Sequence, residues 1–217
     1  LFYISVGDNT NPFASDGFAP IDEREGRMPW DAQKSSGNTN DLRGKILRIK
    51  INPDATYSIP EGNLFKPGTP KTRPEIFVMG CRNPFRFSVD AKRNLVHWGD
   101  VGPDAGKDSV GRGPKGYDFI GQAGIGGGFF GWPYVRGNAH AYNDYDFTTK
   151  TSGPKFDPNH IVNNSPNNTG MDVLPPYKAP PLWYSYDASK EFPFVATGGK
   201  NPMAGPVFYK EEYPPPS

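Results

Sequence analysis

Between Gly80 and Pro133 the chain repeatedly sets ligand-capable side chains at the ends of short apolar runs. Gly80-Cys-Arg-Asn-Pro-Phe brings Arg82 and Asn83 into a turn. Trp98-Gly-Asp-Val-Gly-Pro-Asp follows with Asp100, Gly102, Pro103 and Asp104, and Gly116-Tyr-Asp-Phe adds Asp118. Rigid scaffolds hold their chemistry at such strand ends, because the strand fixes the position and the turn exposes the group. An arginine there offers a planar fork of donors for carboxylates and other anions. The competing structural reading of Arg-Asn-Pro is a turn whose Asn bonds the backbone. For each of Asp100, Asp104 and Asp118, the ordinary reading is a solvated loop carboxylate.

The elements that must position these groups are strands. The 217 residues include 26 Gly and 25 Pro, a level that approaches low complexity, but aromatics make up 14%. Disordered chains are poor in aromatics, so the composition describes a folded, turn-rich, mostly β protein. Leu1 to Gly7, Arg43 to Ile51, Glu75 to Met79, Tyr117 to Ile120, Phe129 to Val135, Leu182 to Tyr186 and Pro206 to Tyr209 read as strands or short strand segments. Arg43 to Ile51 alternates basic and apolar residues, the pattern of a half-buried strand. Phe85 to Asp90 and Leu95 to Gly99, joined by Asp90-Ala-Lys-Arg-Asn, read as a hairpin. Asp8 to Asn40 reads as a long polar loop, of the kind that is usually functional or disordered, and Asn138 to Gly170 reads as mostly loop. No segment sustains a 3.6-residue apolar period, so almost no helix is expected. Short strands separated by turns are the mark of a sandwich, barrel or propeller, and no clean repeat of 40 to 50 residues chooses among them.

Several functions are excluded or disfavoured at this level. Net charge is +1 with the basic residues dispersed, which argues against a nucleic-acid partner. No apolar run approaches the roughly 18 residues of a membrane span. The single cysteine, Cys81, permits no internal disulfide and no cysteine metal cluster; beside a turn it reads as a small buried side chain. His97 lies in an expected strand and reads as structural, while His140 and His160 lie in polar loops and read as solvated. Asn163-Asn-Ser and Asn167-Asn-Thr match the N-glycosylation pattern.

Arg82-Asn-Pro and Gly99-Asp-Val-Gly-Pro-Asp resemble the corresponding motifs of the glucose/sorbosone dehydrogenase family. Leu1 to Asp8, Gly44-Lys-Ile-Leu-Arg-Ile, Ile59-Pro-Glu-Gly-Asn, Gly116-Tyr-Asp and Gly131-Trp-Pro continue the resemblance in family order over about residues 1 to 135. Leu174-Pro-Pro, Leu182-Trp-Tyr and Gly198 to Tyr209 fit more loosely. The resemblance implies an all-β fold with long loops and little helix, part of a six-bladed β-propeller, with residues 1–217 forming one partial domain of a longer chain. It implies pyrroloquinoline quinone (PQQ) and calcium as cofactors. The substrate would be an aldose, a related sugar or a sugar aldehyde, the product electrons would pass to an external acceptor, and the location would be periplasmic or extracellular.

Carried over residue by residue, the resemblance places Arg82 and Asn83 over the quinone, where an arginine stabilises the charge that arrives with hydride. It places the carbonyls of Gly102 and Pro103 on the calcium, an ion that takes six to eight oxygens. Lys200 aligns with a late cation for the cofactor's carboxylates. The proton-abstracting His of the family precedes the strand matching Leu1 to Gly7 and is expected upstream of Leu1, so no catalytic residue is assigned within the chain. The family often reads Asp-Glu-Ile-Asn where this chain has Asp118-Phe-Ile-Gly, so Phe119 replaces a Glu that binds a second, structural calcium; that second ion is not carried over. The other reading is a non-catalytic propeller that binds carbohydrate or protein. Its aromatic loops, with Trp132, Tyr134, Tyr142 and Tyr145, suit sugar stacking and core packing equally.

Overall fold

A computed structural model of the protein describes residues 1–199 and 201–212. The chain is built almost wholly of strands and loops, with only three single-turn 3-10 segments, Met28–Trp30, Pro193–Val195 and Lys210–Glu212, among the described residues. The strands are β1 (Phe2–Val6), β2 (Lys45–Ile51), β3 (Tyr57–Ser58), β4 (Ile76–Met79), β5 (Phe87–Asp90), β6 (Leu95–Asp100), β7 (Asp118–Ala123), β8 (Gly128–Phe129), β9 (Val135–Arg136), β10 (His140–Ala141), β11 (Asn143–Asp146), β12 (Thr151–Lys155) and β13 (Leu182–Tyr184).

Two sheets carry the architecture. The first runs β1-β2-β4-β8 with β3 on the far end of β2, and the second runs β13-β7-β6-β5, antiparallel throughout. β9–β10 and β11–β12 are separate two-stranded ribbons. These sheets do not close into a ring among the described residues. The expected hairpin forms in register, Phe87 opposite Trp98 and Asp90 opposite Leu95.

The core lies between the two sheets. Ile46, Phe77 and Val78 from the first meet Val96, Trp98, Phe119 and Ala123 from the second, with Cys81 and Phe130 completing the cluster. Trp98 stands edge-on to Phe130 at 4.7 Å between ring centres, the geometry aromatic pairs prefer. The first sheet is buried on its other face as well, where Leu47, Ile76 and Met79 pack on Phe129, Tyr134, Val135 and Ile161. That double burial explains why β4 is buried at every position.

Two expectations need correction and one open alternative is resolved. β2 is not half-buried along its length: its first four residues are buried, including Lys45, with the Lys45 Nζ donating to the carbonyls of Ser35, Ser36 and Arg43 at 2.8, 3.0 and 2.8 Å. Three carbonyls satisfy all three ammonium donors, which is how a lysine can be buried. The long loop from Asp8 to Asn40 is neither disordered nor merely peripheral, because Ile21, Asp31, Ala32, Gln33, Ser35 and Ser36 are all buried. The segment from Asn138 to Gly170 is mostly loop, with β10 and the β11–β12 ribbon within it, whereas Pro206 to Tyr209 forms no strand.

Candidate functional site

The turn at Arg82-Asn83 leaves the first sheet and is caught by β6 of the second. The Asp100 carboxylate, at the end of β6, accepts the Arg82 backbone N–H at 3.0 Å and the Asn83 backbone N–H at 2.7 Å. The Arg82 carbonyl in turn accepts the Asp8 N–H at 2.8 Å. This geometry combines the two readings of the motif. Arg-Asn-Pro is a backbone-bonded turn, but the capping group is Asp100, which frees both side chains. Arg82 is half-buried and Asn83 exposed, and the Arg82 guanidinium has no hydrogen-bond or ion-pair partner among the described residues. An unpaired fork beside a buried cleft is equipped to take an anion.

Asp100 is not the solvated loop carboxylate expected of it. It is fully buried and pairs with the equally buried Arg136 at 2.6 Å. Arg136 also donates to the Asp100 carbonyl at 3.0 Å and to the Tyr117 carbonyl at 3.2 Å, and its guanidinium lies over the Phe119 ring, 4.4 Å from the centre. Burial disfavours the arginine's charge, but Asp100 more than offsets this and holds Arg136 above its ordinary value. Phe119 is core, fully enclosed, with no atom that could ligate a metal.

The next turn, at Gly102-Pro103, packs on the start of the following strand. The Gly102 N–H donates to the Asp118 carboxylate at 2.7 Å, and Asp118 is buried rather than solvated. A Cβ on Gly102 would collide with the Tyr117 carbonyl, and one on Gly116 with the Pro103 carbonyl oxygen, so glycine is required at both positions for the two segments to approach. Gly102 and Pro103 are buried, yet neither carbonyl accepts a hydrogen bond from the described residues. A buried carbonyl without a donor is an oxygen of the type a hard cation takes, although the Pro103 oxygen packs against Gly116. Burial raises the Asp118 carboxyl, the Gly102 N–H and Arg136 pull it back, and Asp100 adds to the rise. Among the described residues, no group of three or more acidic, histidine or cysteine side chains stands ready to hold a metal, so the carbonyls and a ligand's own oxygens would have to supply most of the shell.

Asp8, Arg82, Pro103, Asp104 and Trp132 line one narrow cleft of about 10 Å3, room for about one water. Asp8 is its buried carboxylate. It accepts the Trp132 indole N–H at 2.7 Å and the Thr10 N–H at 3.0 Å. Burial pushes its carboxyl up to about 6; Trp132, Thr10 and Arg82 oppose the shift and Asp100 adds to it. Asp104 is exposed at the rim.

The structure therefore brings Arg82 and Pro103 to one cleft, with the turn Arg82-Asn83 held by Asp100 and the turn Gly102-Pro103 by Asp118, while Gly102 and Asn83 do not line that cleft. Lys200 lies outside the described residues. His140 is not solvated: its ring stacks on Tyr117 at 4.3 Å, and burial lowers its pKa. His97 sits in β6 against Gln122, and His160 is exposed; none of the three histidines lines the cleft with Arg82. Trp132, Tyr134 and Tyr142 are fully buried core residues, which leaves only Tyr145 of that group partly accessible for stacking. Of the two glycosylation patterns, Asn163 is buried with its amide donating to the carbonyls of Gln33 and Gly37, while Asn167 is partly exposed. Sequence reasoning missed Arg136 and the burial of Asp8. The signal for Arg136 is a charge directly after the apolar run Gly131-Trp-Pro-Tyr-Val, since a buried charge is retained only when paired.

The scaffold is nearly all β with almost no helix, and comparison with known proteins supplies the family. The profile of the glucose/sorbosone dehydrogenase family matches residues 2–184, and the chain belongs to that family. The chain is similar to the HIPL2 and HIPL1 proteins of Arabidopsis thaliana, 31% identical over 141 residues and 30% over 138, which is 57% and 58% of this chain. It spans only 18% of the length of either relative. Partial likenesses to solved structures include an oxidoreductase described as a glucose dehydrogenase from Thermus thermophilus, at 22% identity and TM-score 0.37, over 70% of this chain and 32% of that one. Another is the PQQ-bound aldose sugar dehydrogenase of Streptomyces coelicolor, at 18% identity and TM-score 0.33, over 72% and 42%. The family assignment rests on the profile match.

Proposed function

We propose that the protein containing this chain is a PQQ- and calcium-dependent sugar dehydrogenase that oxidises an aldose or sorbosone-type sugar by hydride transfer and passes the electrons to an external acceptor. The observation that carries the reading is that Arg82, whose guanidinium has no hydrogen-bond or ion-pair partner among the described residues, and Pro103 line one cleft beside the buried Asp8. PQQ, when bound, supplies the two-electron acceptor. Arg82 holds anionic oxygen at that cleft with its fork, and Asn83 adds an amide at the exposed side. The Gly102 and Pro103 carbonyls ligate calcium, which needs no protein N–H nearby and suits a turn whose proline has none. Lys200 is proposed as a further cation for the cofactor's carboxylates, and the sheets β1-β2-β4-β8 and β13-β7-β6-β5 as blades of a six-bladed propeller. No helix among the described residues is long and apolar enough to cross a membrane, and a periplasmic or extracellular location is proposed from the family.

A second reading, a propeller that binds carbohydrate or protein without catalysis, is favoured by Phe119, which is buried where the family's Glu would ligate. Dye reduction separates the two. The full-length protein, supplied with PQQ and calcium and offered a panel of sugars, is expected to reduce the dye only when both cofactors are present. Folded protein that reduces nothing under these conditions contradicts the enzyme reading.

A further inference from the structure

We infer that Arg136 is the positioning residue of this site: a buried cation that locks the Arg82-Asn83 turn and the Gly102-Pro103 turn into one rigid unit. The inference rests on the proposed function only for the identity of the ligand. Arg136 is 0% exposed and so cannot touch a ligand at the surface. Its three hydrogen bonds instead reach both turns. Nη1 and Nη2 hold the Asp100 carboxylate and carbonyl, and Nε holds the Tyr117 carbonyl.

Each of those partners governs one turn. The Asp100 carboxylate oxygen that receives Nη1 also receives the Arg82 N–H, and its other oxygen receives the Asn83 N–H. Tyr117 sits directly against Gly102, and its neighbour Asp118 holds the Gly102 N–H. A single planar fork thus fixes the end of β6, the entry to β7 and, through Asp100, the turn after β4. Stacking on Phe119 sets the plane of the fork. Lysine could not replace it, because a point-like ammonium cannot place coplanar donors on three separated oxygens or stack on a ring. Without the arginine, Asp100 is a buried carboxylate with backbone donors only, and it must either take a proton or draw in water. Both outcomes loosen the two N–H bonds that present Arg82.

Amide hydrogen exchange on the full-length protein tests this directly, with Arg136→Lys as the main variant and Asp100→Asn as the second. Protection at the Arg82 and Asn83 amides is expected to fall about tenfold or more, the loss of about one hydrogen bond's stabilisation. Protection in β4 stays at the wild-type level. PQQ affinity, read by optical titration, is expected to fall by about the same factor. Wild-type protection at Arg82 and Asn83 in Arg136→Lys overturns the inference. So does a uniform loss of protection across β4 and β6 in both variants, since that assigns Arg136 to general stability. Absence of PQQ binding by the wild-type protein counts against the cofactor reading, and the exchange pattern still decides the role of Arg136.

Discussion

Two buried carboxylates flank the Arg82-Asn83 turn, and they have opposite electrostatic fates. Asp100, on the β6 side, is neutralised by Arg136 and bonded to two backbone N–H groups. Asp8, on the β1 side, has an indole N–H and one backbone N–H but no cation in contact, and burial lifts its carboxyl to about 6. The difference shows that burial alone does not decide what an acid does. A carboxylate given a fork of donors becomes part of the scaffold, whereas one given only neutral donors stays able to exchange a proton near neutral pH. The turn between them is thereby anchored on one side and titratable on the other.

The contrast can be broken from either end. The largest effect is expected for Arg136→Met, which strands Asp100 in the core. Removing one partner of a buried ion pair costs about 3–5 kcal/mol, measurable by urea unfolding. Asp8→Asn comes next and acts through pH. The folded-state value of about 6 lies above the ordinary 3.8, so the folded protein holds the extra proton between these values. Asp8 therefore makes the wild type lose stability as pH rises from about 4 to 6. The full swing is about 3 kcal/mol at roughly 1.4 kcal/mol per unit. The unfolding free energy of the wild type relative to Asp8→Asn is expected to fall by that amount across this window and to stay flat above it. A constant difference would contradict the assignment.

Smaller effects sharpen the picture of the second turn. Gly116→Ala sets a methyl against the Pro103 carbonyl oxygen and is expected to cost about 1–3 kcal/mol through forced backbone movement. Calcium binding, followed by titration calorimetry on the full-length protein, should weaken with it. Arg82→Gln is expected to change stability least, within about 0.5 kcal/mol, since its guanidinium has no hydrogen-bond or ion-pair partner among the described residues to lose.

Much of this arrangement was legible in the sequence. The strands at Phe2–Val6 and Ile76–Met79 follow from short apolar runs, and Lys45–Ile51 and the Phe87–Asp100 hairpin from period-2 alternation and turn residues. The β11–β12 ribbon was not legible, because Asn143-Asp-Tyr-Asp carries acidic groups where a strand usually shows β-branched ones. Pro206 to Tyr209 misled in the other direction. Its apolar run forms no strand among the described residues, and Tyr209 instead donates its hydroxyl to the Asp90 carboxylate at 2.6 Å. At the site, the turns at Arg82-Asn83 and Gly102-Pro103 could be read from motif spacing, but the groups that hold them could not. Asp100 and Arg136 stand 36 residues apart, and nothing local records that they meet. Lys45 was hidden for a similar reason. Two of its three carbonyl partners, Ser35 and Ser36, belong to a loop that closes over the strand only in the folded chain, and burial there brings its pKa down to about 7.

The central claim is that Arg82 and the Gly102-Pro103 turn form one cofactor face. Equilibrium titration of the full-length protein with PQQ in the presence of calcium, comparing wild type with Arg82→Gln, tests it most directly. The account predicts saturable binding to the wild type that weakens at least about tenfold in the variant, the scale of one charge-assisted hydrogen bond, while both proteins unfold at the same denaturant midpoint. Equal PQQ affinity in the two proteins, or no binding to the folded wild type, would contradict it.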